Sequence, residues 1–429
     1  MKVILENITL IDPQQKLNKK SNILIEDGII KKIGDISAEQ KKQAQIFDLS
    51  GAVCSPGFFD MHVHFREPGR EDEETIQTGC RAAAAGGFTG VACMPNTEPA
   101  IDSAETVKFI LQKANGELVN VFPIGAATLG RKGEAISPMA ELSDAGAVAF
   151  SDDGTAIKTA AVLRSAMEYA SMYNKVIIEH CEEETLADGA INEGEMSTKL
   201  GLPPLPSVSE DLIVSRDLLM AEYLNARIHI AHISTKGAVN LVREAKKRGI
   251  KVTAEVTPHH FSITDESLYS YDSNFKMSPP LRTQEDVQAC IEGLKDGTID
   301  CIATDHAPHA IEEKELEFIY APNGIIGLET AIGLTLNELY HKKHLSLEEI
   351  IEKFAINPRK ILGLSIPKIA EGEKAELTIF NPDEVWTVDV KKFKSKSKNS
   401  PFDKKILTGK QVAAINNSQM FIDDEFINI

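Results

Sequence analysis

The middle of this chain alternates strand with helix, and that alternation limits its fold more than any other feature. Eight apolar, β-rich runs lie at 57–65, 88–96, 120–128, 146–153, 175–182, 227–234, 251–258 and 300–309. Most are separated by helical stretches such as DSAETVKFILQKAN, TAAVLRSAMEYASMY and GAVNLVREAKKRG. Near-continuous apolar strands joined by helices belong to a parallel sheet covered on both faces. Eight of them predict an α/β protein built as a closed (β/α)8 barrel.

The ends of the chain read differently. VILENITLID, NILIEDGIIKKIG and AQIFDLSGAVCSPG are turn-punctuated β patterns, with Asp27-Gly28 as a hairpin turn. The same style returns in AELTIFNPDEVWTV, KKILTGKQVAAINN and SQMFIDDEF. Chain termini often lie close together, so residues 1–56 and 366–429 are expected to form one small β module beside a barrel at 57–365. A length of 429 residues suits one barrel plus such a module.

Composition removes several function classes. A formal charge of −18 without a Lys/Arg cluster argues against nucleic acid as a partner. The most basic segment, Lys391 to Lys405, reads as a solvated loop. No apolar run is long enough to cross a bilayer, and Glu6 and Asp12 interrupt any signal-peptide reading of the N-terminus. The six cysteines are scattered with no CxxC pair, as expected of reduced, buried thiols in a cytoplasmic protein.

Polar residues recur at one end of the apolar runs. In six of the eight, a His, Asp or Asn sits at or just past the carboxyl end, the rim where barrel enzymes carry their chemistry. His62 and His64 lie two residues apart on a strand, so both imidazoles share a face. His180 closes run five, His232 closes run six and Asp305 closes run eight. Each histidine alone reads as a hydrogen-bonded core residue. Jointly, with a carboxylate that would be costly to bury unpaired, they read as ligands of a divalent cation. Two ions in one site usually share a bridging ligand. In Ser151-Asp152-Asp153-Gly154, strand alternation lets one aspartate face the histidines, and Asp153 is the expected one; loop capping by both is the alternative.

The ordered set PGFFDMHVHFREPG, MPNT, SDDG, IEHCE, AHIS and ATDHAPH closely resembles the bacterial dihydroorotases of the amidohydrolase superfamily. The resemblance spans essentially the whole chain. It implies a (β/α)8 barrel with a composite β-sandwich from both termini, and one or two Zn2+ ions per subunit, two being expected. It implies His62, His64 and Asp305 on one ion, His180 and His232 on the other, and Asp153 as the bridge. Related cyclic amidases bridge with a carboxylated lysine; here the nearest lysine, Lys158, falls five residues beyond Asp153.

Substrate contacts implied by the resemblance are His64, Phe65, Arg66, Asn96, His309, Asn323 and Gly324. Ser278 stands where the family usually has asparagine, and serine lacks the amide's second donor. Asp305 is the implied catalytic acid and base. The implied reaction is reversible hydrolysis of dihydroorotate to N-carbamoyl-L-aspartate in pyrimidine synthesis. A homodimer and an association with aspartate transcarbamoylase are compatible with it. The nearest alternative is an allantoinase or dihydropyrimidinase type of cyclic amidase. An alternative of another class, a non-catalytic partner of aspartate transcarbamoylase, is weakened because every expected ligand is present. Glu312-Glu313-Lys314 begins a polar stretch read as a surface loop, with a mobile lid as the alternative.

Overall fold

A computed structural model describes all of residues 1–429. Both ends of the chain meet in a nine-stranded sheet. Its N-terminal strands join its C-terminal strands where Val53–Pro56 runs antiparallel to Leu377–Thr387, with Cys54 opposite Ile379. Alternation sorts the side chains: Val3, Leu5, Ile8, Leu10, Ile23 and Ile25 turn inward with Leu377, Ile379, Ala413 and Ile415 as one buried cluster. Asp27 and Gly28 both have positive φ, 51° and 70°, as a two-residue hairpin turn between Leu17–Glu26 and Ile29–Ile33 requires.

Eight parallel barrel strands follow. They are Phe58–Val63, Phe88–Cys93, Asn120–Pro123 continued by Gly125–Ala126, Phe150–Ser151, Ile177–Glu179, Ile228–Ile230, Val252–Val256 and Cys301–Ile302. The ring closes through a bridge between Val63 and His306, where His64 N donates to His306 O at 2.9 Å. The strands are shorter than the apolar runs that predict them, because the polar end of each run has already left the ladder to line the rim.

Helices wrap the outside. Lys236–Lys247 shows how its sequence dictates this: Thr235 caps the first turn by accepting from Ala238 N, and Lys246 and Lys247 face the negative end of the helix. Ala238, Val239, Val242 and Ala245 form its buried face, each valine contributing about 1.5–3 kcal/mol by burial. Val242→Asp would break that contact. The helices cover a buried cluster around the strands, while Phe59, Met61, Met94, Ile124, Ile178 and Cys301 belong to a separate cluster inside the barrel. No helix is long and apolar enough to cross a membrane.

Two expectations fail here. Lys391 to Lys405 is not a solvated loop. Ser395, Ser397 and Asn399 are buried in alternation with exposed Lys396 and Lys398, so the segment lies on the barrel as a strap. Its inward groups are used: Ser395 Oγ donates to Glu74, Lys394 N donates to Glu329 at 2.8 Å, and Asn399 Nδ2 donates to Ala307 O at 2.9 Å. The period of two was hidden by the lysines. The reading of the stretch from Glu312 fails only in part: Glu312 and Glu315 to Glu317 are exposed as a surface segment would be, but Ile311–Lys314 is a helical turn and Lys314 is buried, its Nζ donating to Pro322 O at 2.9 Å and Gly324 O at 3.1 Å.

Candidate active site

At the carboxyl ends of the strands, the carboxylate of Asp153 stands among four imidazoles. Its oxygens lie 3.3 Å from His62 Nε2, 3.6 Å from His64 Nε2, 3.7 Å from His180 Nδ1 and 3.6 Å from His232 Nε2. Asp305 completes the group, 2.9 Å from His64 Nε2 and 3.5 Å from His62 Nε2. All six residues are buried. The two neighbouring aspartates, just past the strand Phe150–Ser151, point different ways: Asp152 turns to the loop after the third strand, where Thr128 N and Oγ1 donate to it at 2.9 and 2.5 Å. Lys158 stays exposed on the surface.

The donor set fits divalent cations. Neither His62 Nε2 nor Asp153 Oδ1 completes a hydrogen bond, although both are buried. His180 Nδ1 and His232 Nε2 face each other at 3.0 Å, two ring nitrogens whose lone pairs a cation could share. Two overlapping groups, His62-His64-Asp153 and Asp153-His180-His232, have their ligand atoms close enough to hold an ion each, with Asp153 common to both. Excess negative charge points the same way. Burial disfavours the His62 imidazolium, yet Asp153 and Glu255 outweigh it and hold the pKa well above its ordinary value. Burial likewise opposes ionisation of Asp153 and Asp305, and His62 foremost, with the other imidazoles, drives both below the usual carboxylate range.

Three rim residues, Arg66 (φ 60°), His232 (φ 28°) and Asp305 (φ 50°), hold left-handed backbone conformations that non-glycine residues rarely adopt. Such strain gathers where side chains must be aimed.

Of the expected substrate contacts, most collect at this rim. His64 Nδ1 donates to Asn96 Oδ1 at 2.7 Å. Arg66 Nε lies 3.1 Å from both Pro308 O and Glu73 Oε2, and its Nη2 lies 3.3 Å from His309 Nε2. His309 Nε2 is 2.8 Å from Asn323 O. Gly324 has φ 127°, and a Cβ there would sit 2.6 Å from Ala307 Cβ and 3.1 Å from His309 Nε2, so only glycine fits. Ser278 Oγ donates to Glu182 at 3.2 Å, and Glu182 is 4.0 Å from His180 Nε2. Phe65 is the exception. Its side chain belongs to the cluster under the helices and its ring packs where Gly79 leaves room, so it faces away from the rim.

Comparison with known proteins gives this geometry its relatives. Residues 51–238 match a family model described as dihydro-orotase-like. The dihydroorotase of Syntrophus aciditrophicus is 45% identical over 99% of this chain and 100% of its own length. That of Acetivibrio thermocellus is 47% identical over 97% of this chain and 98% of its own. The chain belongs to the dihydroorotase family. Among solved structures, the L-hydantoinase (dihydropyrimidinase) of Arthrobacter aurescens superposes with a TM-score of 0.87 at 25% identity, covering 100% of this chain and 97% of that one. Dihydropyrimidinase from Brevibacillus agri NCHU1002 shares the fold, with a TM-score of 0.84 at 20% identity and coverage of 100% and 96%. The barrel with its terminal β module is thus the architecture of the wider group of cyclic amidases.

In this member of the dihydroorotase family, several residues around the rim escaped sequence reasoning. Glu255 lies 2.6 Å from His62 Nδ1 and 3.2 Å from His229 Nε2. A carboxylate inside the apolar run KVTAEVTP was the available signal. Glu73 touches both Arg66 and His309, the latter at 3.0 Å. It sits in the acidic stretch Glu71 to Glu74, which reads as surface until the fold buries it. Asn399, from the strap, accepts from His309 N at 3.2 Å. Nothing local in the sequence joins it to a histidine ninety residues away.

Proposed function

We propose that this chain is a dihydroorotase, a hydrolase that opens the cyclic amide of (S)-dihydroorotate to N-carbamoyl-L-aspartate and closes it again in pyrimidine synthesis. The observation that carries the reading is the single carboxylate of Asp153 within 3.7 Å of four imidazoles, with no lysine beside it. Near full-length relatives named dihydroorotase support it.

In this reading His62, His64 and Asp305 would hold one zinc ion and His180 and His232 a second, with the Asp153 carboxylate available to both. Bound divalent ions lower the pKa of water from 15.7 toward 7 and polarise a carbonyl. Asp305 takes the proton of the attacking water and returns it to the leaving ring nitrogen, one group serving both directions. Arg66, Asn96 and His309 hold the substrate's carboxylate and carbonyl groups, with Ser278, Asn323 and Gly324 beside them. A guanidinium grips a carboxylate through parallel hydrogen bonds, which suits a substrate whose ring carries one.

The second reading is a hydantoinase or dihydropyrimidinase activity, favoured by the likeness to the Arthrobacter enzyme. Rates on dihydroorotate, dihydrouracil and allantoin, with metal content measured on the same preparation, decide between them. Turnover of dihydroorotate well above the others is expected; the reverse order would overturn the reading. Six free, buried cysteines support a cytoplasmic setting. A homodimer and a complex with aspartate transcarbamoylase belong to the same reading, and the mass in solution with and without that partner tests both.

A further inference from the structure

The helix Val208–Leu224, between the fifth and sixth barrel strands, turns charged side chains inward where a surface helix ordinarily buries apolar ones. Glu210 and Asp217, seven residues apart and so on one face, are buried, and the side chain of Arg216 is only 20% exposed. Burying charge is costly unless each group finds a partner. Here the partners stand in the loops and strand ends that carry metal-site residues.

Glu210 Oε1 accepts from Ser234 N at 2.8 Å and from Thr235 N at 3.1 Å, and its Oε2 accepts from Ser234 Oγ. These groups begin two residues past His232, whose left-handed backbone (φ 28°) has to be held by its surroundings. Arg216 Nη1 donates to Ile157 O at 2.7 Å, while Ile157 N donates to Glu179 Oε1 at 2.6 Å. Arg216 Nη2 donates to the same Glu179 oxygen at 3.2 Å. Ile157 is thus fixed at both its N–H and its carbonyl, four residues past Asp153. Arg216 Nε donates to Asp217 Oδ1 at 2.7 Å, and Cys181 Sγ lies 3.7 Å from Asp217 Oδ2. His180 therefore sits between two residues, Glu179 and Cys181, that the helix holds.

The other ligands are steadied from elsewhere. His62 Nδ1 meets Glu255 at 2.6 Å, His64 Nδ1 meets Asn96 at 2.7 Å, and Asp60 accepts at 3.1 Å from the N–H of Thr304, next to Asp305. These partners lie on barrel strands or just past them, and none belongs to the helix. We propose that the helix Val208–Leu224 braces one half of the metal centre: Glu210, Arg216 and Asp217 position His232, Asp153 and His180, so the second ion depends on this helix and the first does not. Asp153 is common to both groups, but the first ion keeps His62, His64 and Asp305 without it. This inference rests on the two-ion reading of the site. Glu210, Arg216 and Asp217 are positioning residues, acting through the ligands they hold.

The test challenges the full-length, zinc-loaded parent and the variants Arg216→Met, Arg216→Lys and Glu210→Gln with increasing EDTA and counts the zinc retained per subunit. The parent is expected to hold two ions. In Arg216→Met and Glu210→Gln one ion is expected to leave at a chelator concentration about tenfold lower than in the parent, the other staying within about twofold. Arg216→Lys keeps the charge but not the spread of donors, and is expected to fall between. Cobalt(II) in place of zinc reports which ion goes. The absorption spectrum of one-ion Arg216→Met is expected to match that of His232→Ala, which lacks a ligand of the second ion, and not that of His62→Ala. Equal weakening of both ions, a match to His62→Ala, or retention of both ions within about twofold in every variant that folds overturns the inference. So does failure of all three variants to fold, by making the helix structural. A parent that holds only one ion overturns the two-ion reading and this inference with it, whereas a two-ion parent with indifferent variants overturns only the latter.

Discussion

Glu255 Oε1 lies 2.6 Å from His62 Nδ1, on the barrel strand two places round from the one that bears His62. The carboxylate accepts that N–H and so fixes the ring with Nε2 aimed at Asp153. Glu255 is itself steadied from the other side by His229, 3.2 Å away, and His62 and His229 outweigh burial to keep it ionised below the ordinary glutamate range. A ligand's outer partner sets both tautomer and basicity. Glu255→Gln is therefore expected to weaken metal binding by about 10–100-fold while leaving the barrel folded. Competition against a chelator measures it, and an unchanged affinity would mean that packing alone orients His62.

Asp305 has a different task from the histidines it touches. Its Oδ1 lies 2.9 Å from His64 Nε2, and His62 and His64 outweigh the effect of burial to hold its carboxyl below the usual carboxylate range. Asp305→Asn keeps the shape and removes the basic oxygen. Turnover is expected to fall about 10²–10⁴-fold with metal content largely retained. Substantial activity at full metal content would take the acid–base role away from this residue.

Much of this was legible because the relevant signals are local. His62 and His64 announce themselves by spacing, and Asp153 was expected over Asp152 by carrying the alternation of its apolar run past the end of the strand Phe150–Ser151. The residues that brace the site are of another kind. Glu73, Glu255 and Asn399 gain their meaning only when distant segments close around them, and each looks ordinary within its own ten residues. Phe65 shows the converse error. A motif carried it into the list of substrate contacts, whereas its side chain turns away from the rim to the helix side, where Gly79 makes room for its ring. The lysine-rich strap misled for a related reason: its charges point out and its serines in, and charge dominated the reading.

Glu73 joins the two basic groups that face the substrate side. It lies 3.1 Å from Arg66 Nε and 3.0 Å from His309 Nδ1, and it is buried. A hydrogen bond between charged groups contributes about 1.5–3 kcal/mol, so loss of the charge should free both side chains. Glu73→Gln is expected to raise KM for dihydroorotate about tenfold, with kcat changed far less. A fall in kcat at constant KM would instead tie Glu73 to the chemical step.

Lys314 offers a reading of stability against pH. Its ammonium is buried beneath the rim and donates to the carbonyls of Pro322 and Gly324, and burial foremost, with Lys276 nearby, brings its pKa down to about 7. The unfolded chain would hold the proton up to the ordinary lysine value, near 10.4. Between those limits the unfolded state binds more protons, so stability rises with pH. This contribution is fully present above the unfolded pKa and is lost as pH falls toward 7. Lys314→Met removes the titration along with the hydrogen bonds to the two carbonyls. The variant is expected to melt lower than the parent throughout, by a margin that widens from pH 7 toward pH 10. Melting temperatures of both proteins across that range check it, and a constant margin would mean that Lys314 keeps its proton as an ordinary surface lysine does.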